Sequence, residues 1–298
     1  MSGATTPACD RHVMFLHAHP DDESSKGAGT MARYAKEGAR VSVLTFTDGG
    51  KGDILNPAMA DQPGVRENLI EVRKGELAEA LRLLGVSDHV DLGYPDSGYV
   101  EEFTGDGRTP SPDLAADCFY NAPMAEVLAR GVPAIRATRP QVLVTYDEKG
   151  GYPHPDHVRT HTATIALWRA AADPTFMPDA GPAWRATKIY YQMSFTYRRL
   201  SQLIIACEER GIETPFKEWL ERWDATKPER ITTSIEVGDF IPARTAALKA
   251  HRTQVDPKGQ WFSIPDELIA EIYPFEDFRL AYSEVVTDRP EDDLFSGL

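Results

Sequence analysis

Two short segments carry the residue types of a metal-dependent hydrolase. The first is His17-Ala18-His19-Pro20-Asp21-Asp22-Glu23, with two histidines and three acids directly after the apolar run Val13-Met14-Phe15-Leu16. The second is Tyr152-Pro153-His154-Pro155-Asp156-His157, again just past a strand-like run. Imidazole and carboxylate are the ligands a catalytic Zn2+ uses, commonly three from the protein with one position left for water or substrate. His19 and Asp22 are three residues apart in a turn, a spacing at which both side chains reach one ion. His157 is the natural third ligand, and His161, four residues further along one helical face, is its rival. Such a His₂Asp set also accepts other divalent transition metals.

With those ligands assigned, Asp21 lies beside the metal without being needed to hold it. It is placed to take a proton from an attacking water as general base. His154 is suited to act as an acid or to stabilise a developing charge. The Tyr152 phenol is suited to donate to a tetrahedral oxyanion. This chemistry is hydrolysis of a stable carbonyl bond, most simply an amide. Plainer roles stand beside these. Asp156 is equally read as a helix N-cap, His17 as a packed histidine at a strand end, and Lys26 as a solvated first-turn lysine. The two-histidine helix motif of metalloproteases is absent, because no Glu follows His157.

The elements that must position these residues alternate. Val13–His17 reads as a buried strand, Gly27–Lys36 as a helix and Arg40–Thr47 as a second strand. Arg66–Leu84 has helical apolar spacing with Gly85 as its stop, and Val90–Leu92 is a third strand. Pro95–Ala122 reads as a long surface loop. Met124–Thr138 is helical, Gln141–Tyr146 is a fourth strand and Val158–Ala172 a helix. This alternation predicts an α/β fold, a Rossmann-like, doubly wound, mostly parallel sheet. Right-handed crossovers give strand order 3-2-1-4. Strands 1 and 4 then flank the switch point where such sheets open a crevice at their C-terminal ends. Topology alone therefore brings the two segments together. Asp48–Asp53, rich in glycine, reads either as a connecting loop needing positive φ or as a rim of that crevice.

Further along, Lys188–Gln192 reads as a fifth strand. Thr196–Arg210, Phe216–Trp223 and Phe240–His251 read as helices, and residues 260–298 are rich in aromatic residues, proline and acids. The expected organisation is a single domain over 1–298, with residues 1–11 flexible and about 188–298 forming a C-terminal elaboration that walls the pocket.

The bulk composition narrows the function class. A 298-residue chain with 42% hydrophobic and 26% charged residues is that of an ordinary globular protein. A net charge of −14, from 46 acids and 32 bases, argues against nucleic acid and anionic membranes, which call for basic patches. No apolar run is long enough for a membrane span, and the polar N-terminus lacks a signal-peptide core. Cys9, Cys118 and Cys207 are few and scattered, which suits inert thiols in a cytoplasmic protein. The sequence is compatible with a homo-oligomer.

His19-Pro20-Asp21-Asp22 with a distant His154-Pro155-Asp156-His157 resembles the LmbE-like (PIG-L-like) N-acetylglucosamine deacetylase family. Longer segments resemble its branch that cleaves mycothiol S-conjugates: His17 to Gly27, Gly52 to Pro57, Tyr146 to His157 and Ala250 to Pro257. The resemblance implies a zinc site at His19, Asp22 and His157 with Asp21 as base. It implies transition-state stabilisation by His154 and Tyr152, with Asp156 tuning His154. It implies sugar contacts by Arg73 and Asp96, and an amidase-type contact from Lys26 to the acyl group. The implied reaction splits the amide of a small-molecule mycothiol S-conjugate into a mercapturic acid and glucosaminyl-inositol, a detoxification. The nearest alternatives it implies are zinc-dependent deacetylation of N-acetylglucosaminyl-inositol and a natural-product tailoring hydrolase. The loop Asp48–Lys51 departs from the glutamate-containing loop the amidase resemblance implies.

Overall fold

Alternating burial builds the centre of the molecule. In β1 (His12–His17), Val13 and Phe15 face one side of a sheet while Met14 and Leu16 face the other, and all four are fully buried. A strand with no exposed position belongs at the middle of a parallel sheet covered by helices on both faces. The computed structural model of the chain describes residues 10–98, 114–221, 223 and 228–298. Cys9 and the middle of the 95–122 segment lie outside them. Cys118 and Cys207 are buried free thiols.

The N-terminal part runs β1, α1 (Asp22–Ser25), α2 (Ala28–Lys36), β2 (Arg40–Thr47), α3 (Pro57–Ala60), α4 (Leu69–Leu84) and β3 (Asp88–Tyr94). It continues through α5 (Met124–Thr138), β4 (Val142–Thr145), α6 (Pro155–Ala172) and β5 (Lys188–Gln192). The C-terminal part adds α7 (Tyr197–Glu209), α8 (Phe216–Glu221), β6 (Thr233–Glu236), α9 (Ile241–Ala250), α10 (Asp266–Ile272) and β7 (Phe275–Ser283).

The strands form one mixed seven-stranded sheet in the order β3-β2-β1-β4-β5-β7-β6. The order 3-2-1-4 expected from right-handed crossovers is present, running inward from the β3 edge. β1 pairs in parallel with β2 on one side and β4 on the other, and β5 extends the parallel part. β7 and β6 were not legible as strands, and they close the far side in antiparallel pairing. Along β7 the two buried positions, Asp277 and Phe278, are adjacent rather than alternating, so period 2 is weak in the sequence there, and β6 alternates but spans only four residues.

Helices α2, α4 and α9 pack on one face through Met31, Leu77, Leu81 and Ala247. Helices α5 and α6 pack on the other through Val127, Ile135, Ala163 and Leu167. Each such large aliphatic side chain contributes roughly 1.5–3 kcal/mol on burial. A third apolar cluster joins α7, α8 and α10 beyond the sheet through Leu200, Leu203, Phe216 and Leu268.

Two sequence readings are corrected. The Pro95–Ala122 segment is not merely a surface loop, since Asp96, Ser97, Cys118 and Phe119 at its ends are buried. Helix α6 starts three residues earlier than its apolar pattern suggested, because Pro155 fits the first helical position, where its missing N–H costs nothing.

Candidate active site

β1 and β4 deliver the two segments to one crevice. The chain leaves β1 into a tight turn whose Asp21 has φ 121°, a left-handed conformation that a non-glycine residue rarely adopts. The turn is held by the Asp21 N–H donating to the Glu23 carboxylate (2.9 Å), and by the Asp21 carbonyl accepting from the Ser24 and Ser25 N–H groups (both 3.1 Å). The chain leaves β4 into 146–154, where Gly150 sits at φ 76°. A Cβ at Gly150 would meet the His157 Cβ at 2.6 Å and the Tyr152 carbonyl at 2.8 Å, so only glycine lets this loop fold against α6.

His19, Asp22 and His157 converge, with their ligating atoms all within 4.8 Å of one another. Asp22 Oδ2 lies 3.5 Å from His19 Nδ1 and 3.3 Å from His157 Nε2. The hydrogen bonds around each ring fix which nitrogen is free. His157 Nδ1–H donates to the Gly150 carbonyl (3.0 Å), which leaves Nε2 as the lone-pair atom. That Nε2 is buried and has no hydrogen-bond partner. His19 Nε2–H donates to Asp156 (3.2 Å), with Asp96 at 3.5 Å, which turns Nδ1 toward Asp22. A buried acceptor nitrogen with no donor, facing a carboxylate and a second imidazole, fits a divalent metal. Burial also pushes the His157 pKa down, so the ring stays neutral as a ligand must.

The rival histidine is elsewhere. His161 bonds the Tyr146 carbonyl (3.1 Å) and packs on Tyr191, outside the two groups of potential ligands among the described residues, His19/Asp22/His157 and His19/His154/Asp156. His17 is buried against Tyr146 and also lies outside those groups.

The remaining expected residues surround this centre. Asp21 carries no side-chain hydrogen bond among the described residues, and burial and the neighbouring Asp22 carboxylate push its pKa up to about 6. His154 accepts the Asp156 backbone N–H at Nδ1 (3.1 Å), so its proton sits on Nε2. Burial and the facing His19 ring drive its pKa down to about 2. Its ring meets His19 edge-on at 4.6 Å. Tyr152 is 42% exposed and lies 4.5 Å from the His157 ring.

The reading of Asp156 as an N-cap is corrected: His154 caps α6, and Asp156 lies inside the helix. The Asp156 carboxylate accepts from His19, from the Ser97 N–H (2.9 Å) and from the Ser97 hydroxyl. A ring nitrogen of His154 and the Asp156 carboxylate also lie within 4.8 Å of one another, in a second group with His19.

Lys26 is not a solvated lysine. It is 8% exposed, donates to Asp22 Oδ1 at 2.6 Å and lies 5.8 Å from the Tyr152 ring centre. Arg73 is buried and donates to the Gly49 and Asp53 carbonyls, pinning the glycine loop against the site. A Cβ at Gly52 would collide with that guanidinium. Asp96 accepts from the Lys51 and Gly98 N–H groups. The loop therefore does rim the crevice.

Sequence reasoning missed three supports. Tyr146 donates to Asp22 (2.8 Å) and stacks on His157 at 4.3 Å. Ser97 holds Asp156. His251 donates to Glu23 at 2.6 Å beneath the Asp21 turn. Only Tyr146, at the end of a strand facing the switch point, had a positional signal.

The chain also has recognisable relatives. Residues 14–168 match the family model "PIG-L: GlcNAc-PI de-N-acetylase". The chain is 45% identical over 290 residues to a mycothiol S-conjugate amidase of Streptomyces coelicolor, covering 96% of this chain and 97% of that one. It is 37% identical over 298 residues to a 1D-myo-inositol 2-acetamido-2-deoxy-alpha-D-glucopyranoside deacetylase of Streptomyces avermitilis, covering 97% and 98%. Among solved structures, the N,N'-diacetylchitobiose deacetylase of Pyrococcus horikoshii superposes with a TM-score of 0.60 at 20% identity, covering 93% of this chain and 86% of that one. That last likeness speaks for the fold alone.

Proposed function

The chain belongs to the PIG-L family and is an amide-cleaving hydrolase, and from that premise we propose that it is a zinc-dependent amidase acting on mycothiol S-conjugates. The observation that carries the substrate is the 45% identity, end to end, with a relative of that name. The reaction splits the amide between glucosamine and the N-acetylcysteine portion, releasing a mercapturic acid and glucosaminyl-inositol.

His19 Nδ1, Asp22 and His157 Nε2 would hold the metal. When bound, it supplies Lewis acidity and lowers the pKa of a water. The residues of the chain do the rest. Asp21 takes a proton from the water as its oxygen attacks the amide carbonyl carbon. The C–N bond then breaks, and the same carboxylic acid returns the proton to the leaving amine. A carboxyl with a pKa near neutrality suits both transfers. His154 holds its proton on Nε2 and, with the Tyr152 phenol, donates to the oxyanion of the tetrahedral stage. Arg73 and Asp96 bind the sugar and hold the loop that borders it. Lys26 contributes a cation beside the acyl side of the cleft.

A second reading is supported by the 37% identity with the Streptomyces avermitilis deacetylase. One measurement separates them: the turnover of a bulky mycothiol S-conjugate against that of N-acetylglucosaminyl-inositol on the purified, zinc-loaded protein. The conjugate should be cleaved with the higher kcat/KM. Preference for the acetylated sugar would overturn the amidase reading.

A further inference from the structure

Beside the metal cluster a narrow cavity opens toward the C-terminal helices. Ser25 is one of its lining residues. The Ser25 hydroxyl accepts from Lys26 Nζ (2.9 Å), and the same Nζ donates to Asp22 Oδ1 (2.6 Å), so the cavity begins one lysine's breadth from the proposed ligands. Its walls are apolar and largely aromatic: Phe195, Leu203, Phe216 and Trp261. Its floor is not.

Two arginines, Arg199 from α7 and Arg244 from α9, line the cavity together. Arg199 donates to the Ser194 carbonyl (3.0 Å), but its Nε is buried with no partner. Arg244 forms no hydrogen bond or ion pair among the described residues. An adjoining cavity shares both arginines and is lined also by Glu276, Asp277 and Gln192, the last 5% exposed with its amide oxygen and nitrogen both lacking partners.

The acids nearby are committed elsewhere. Glu276 accepts from the Gly29 and Thr30 N–H groups (3.0 and 2.8 Å) and from the Thr30 hydroxyl (2.7 Å) at the start of α2. Asp277 accepts from Ser234 and Tyr273, and Asp266 from Thr245, each at 2.7 Å. Two guanidiniums with no carboxylate at ion-pair distance among the described residues, though Glu276 acts on both through space, are costly in one enclosed space unless a ligand neutralises them. Burial and the neighbouring Arg199 push the Arg244 pKa down to about 10, which still leaves it charged.

We propose that this cavity is the subsite for the thiol-linked group of the conjugate, and that it selects slender groups with an apolar body ending in a carboxylate or similar anion. Phe195 and Trp261 flank the body, while Arg199 and Arg244 bind the charged end and Gln192 completes its hydrogen bonds. The assignment of this group to the substrate rests on the amidase reading, whereas the anion-binding property does not.

The test compares S-(4-carboxybenzyl) and S-benzyl mycothiol as substrates of the zinc-loaded wild type and of Arg244→Met. The wild type should favour the carboxylate conjugate in kcat/KM by roughly tenfold or more, the scale of charge-assisted hydrogen bonds. In Arg244→Met that ratio should fall toward unity. Equal or lower turnover of the carboxylate conjugate, or an unchanged ratio in the variant, overturns the proposal. A binding measurement on the wild type covers a variant that fails to fold. There N-acetyl-S-(4-carboxybenzyl)cysteine should bind roughly tenfold tighter than N-acetyl-S-benzylcysteine, and equal affinities overturn the subsite. If neither conjugate is hydrolysed but this binding preference holds, the amidase reading fails and the anion subsite stands.

Discussion

Replacing Asp21 by glycine is expected to make the protein more stable and almost inactive. The residue sits at φ 121° and ψ −23°, where an L side chain meets its own backbone. Such a conformation costs about 1–3 kcal/mol and persists only where its surroundings over-determine it. Here three hydrogen bonds do so, one from the Asp21 N–H and two to its carbonyl. Glycine relieves the strain but adds unfolded-state entropy worth about 0.4–1 kcal/mol. Alanine keeps the strain and also lacks the carboxylate, so it isolates the backbone effect. The Asp21→Gly variant should therefore exceed Asp21→Ala by about 1–2 kcal/mol in unfolding free energy, read by denaturant titration of the metal-free proteins at pH 7 and 25 °C. Both variants should keep stoichiometric metal and lose about 10²–10⁴-fold in turnover, the scale of general-base catalysis. An alanine variant as stable as the glycine variant would show that no strain is stored there. Loss of metal from both would make Asp21 a ligand instead of a base.

Three further outcomes test the rest of the site and fold. His157→Ala should abolish metal retention after dialysis while His161→Ala keeps it, since of these two it is His157 that turns a partnerless buried nitrogen to Asp22; elemental analysis decides, and the reverse result would reassign the third ligand. Asp156→Asn should weaken zinc affinity by about 10–100-fold in chelator competition, because its carboxylate orients His19; unchanged affinity with reduced kcat would assign its role to His154 instead. His12 is buried between Thr138 and Ser42, and burial, aided by Arg40, lowers its pKa from 6.5 to about 4. The unfolded chain therefore binds the proton first, so the stability due to neutral His12 is whole above pH 6.5 and lost as pH falls toward 4. That loss amounts to about 3 kcal/mol. His12→Gln should flatten the pH dependence of unfolding by that amount between pH 6.5 and 4, and parallel wild-type and variant curves would refute the assignment.

The order of β3, β2, β1 and β4 was legible because β1, β2 and β4 are buried runs rich in apolar residues, and handedness leaves few ways to connect the strands. Leu69–Leu84 announced itself through apolar spacing and Gly85. The antiparallel strands β6 and β7 did not, because β6 spans only four residues and β7 buries two adjacent positions instead of alternating ones.

At the site, the sequence by itself supplied the chemistry: histidines and acids grouped on two segments, and a topology that sends both to the same end of the sheet. Only the tertiary structure decided which nitrogen of each ring is free. That depends on partners remote in the chain: Gly150 behind His157 and Asp156 behind His19. It also moved Asp156 from helix cap to support of His19, and Lys26 from solvent to Asp22. Spacing along a chain fixes which side chains can reach a point. The direction in which a lone pair or a proton faces is set by hydrogen bonds across the fold, and those come from Tyr146, Ser97 and the Gly150 carbonyl, which carry no metal-binding signature of their own.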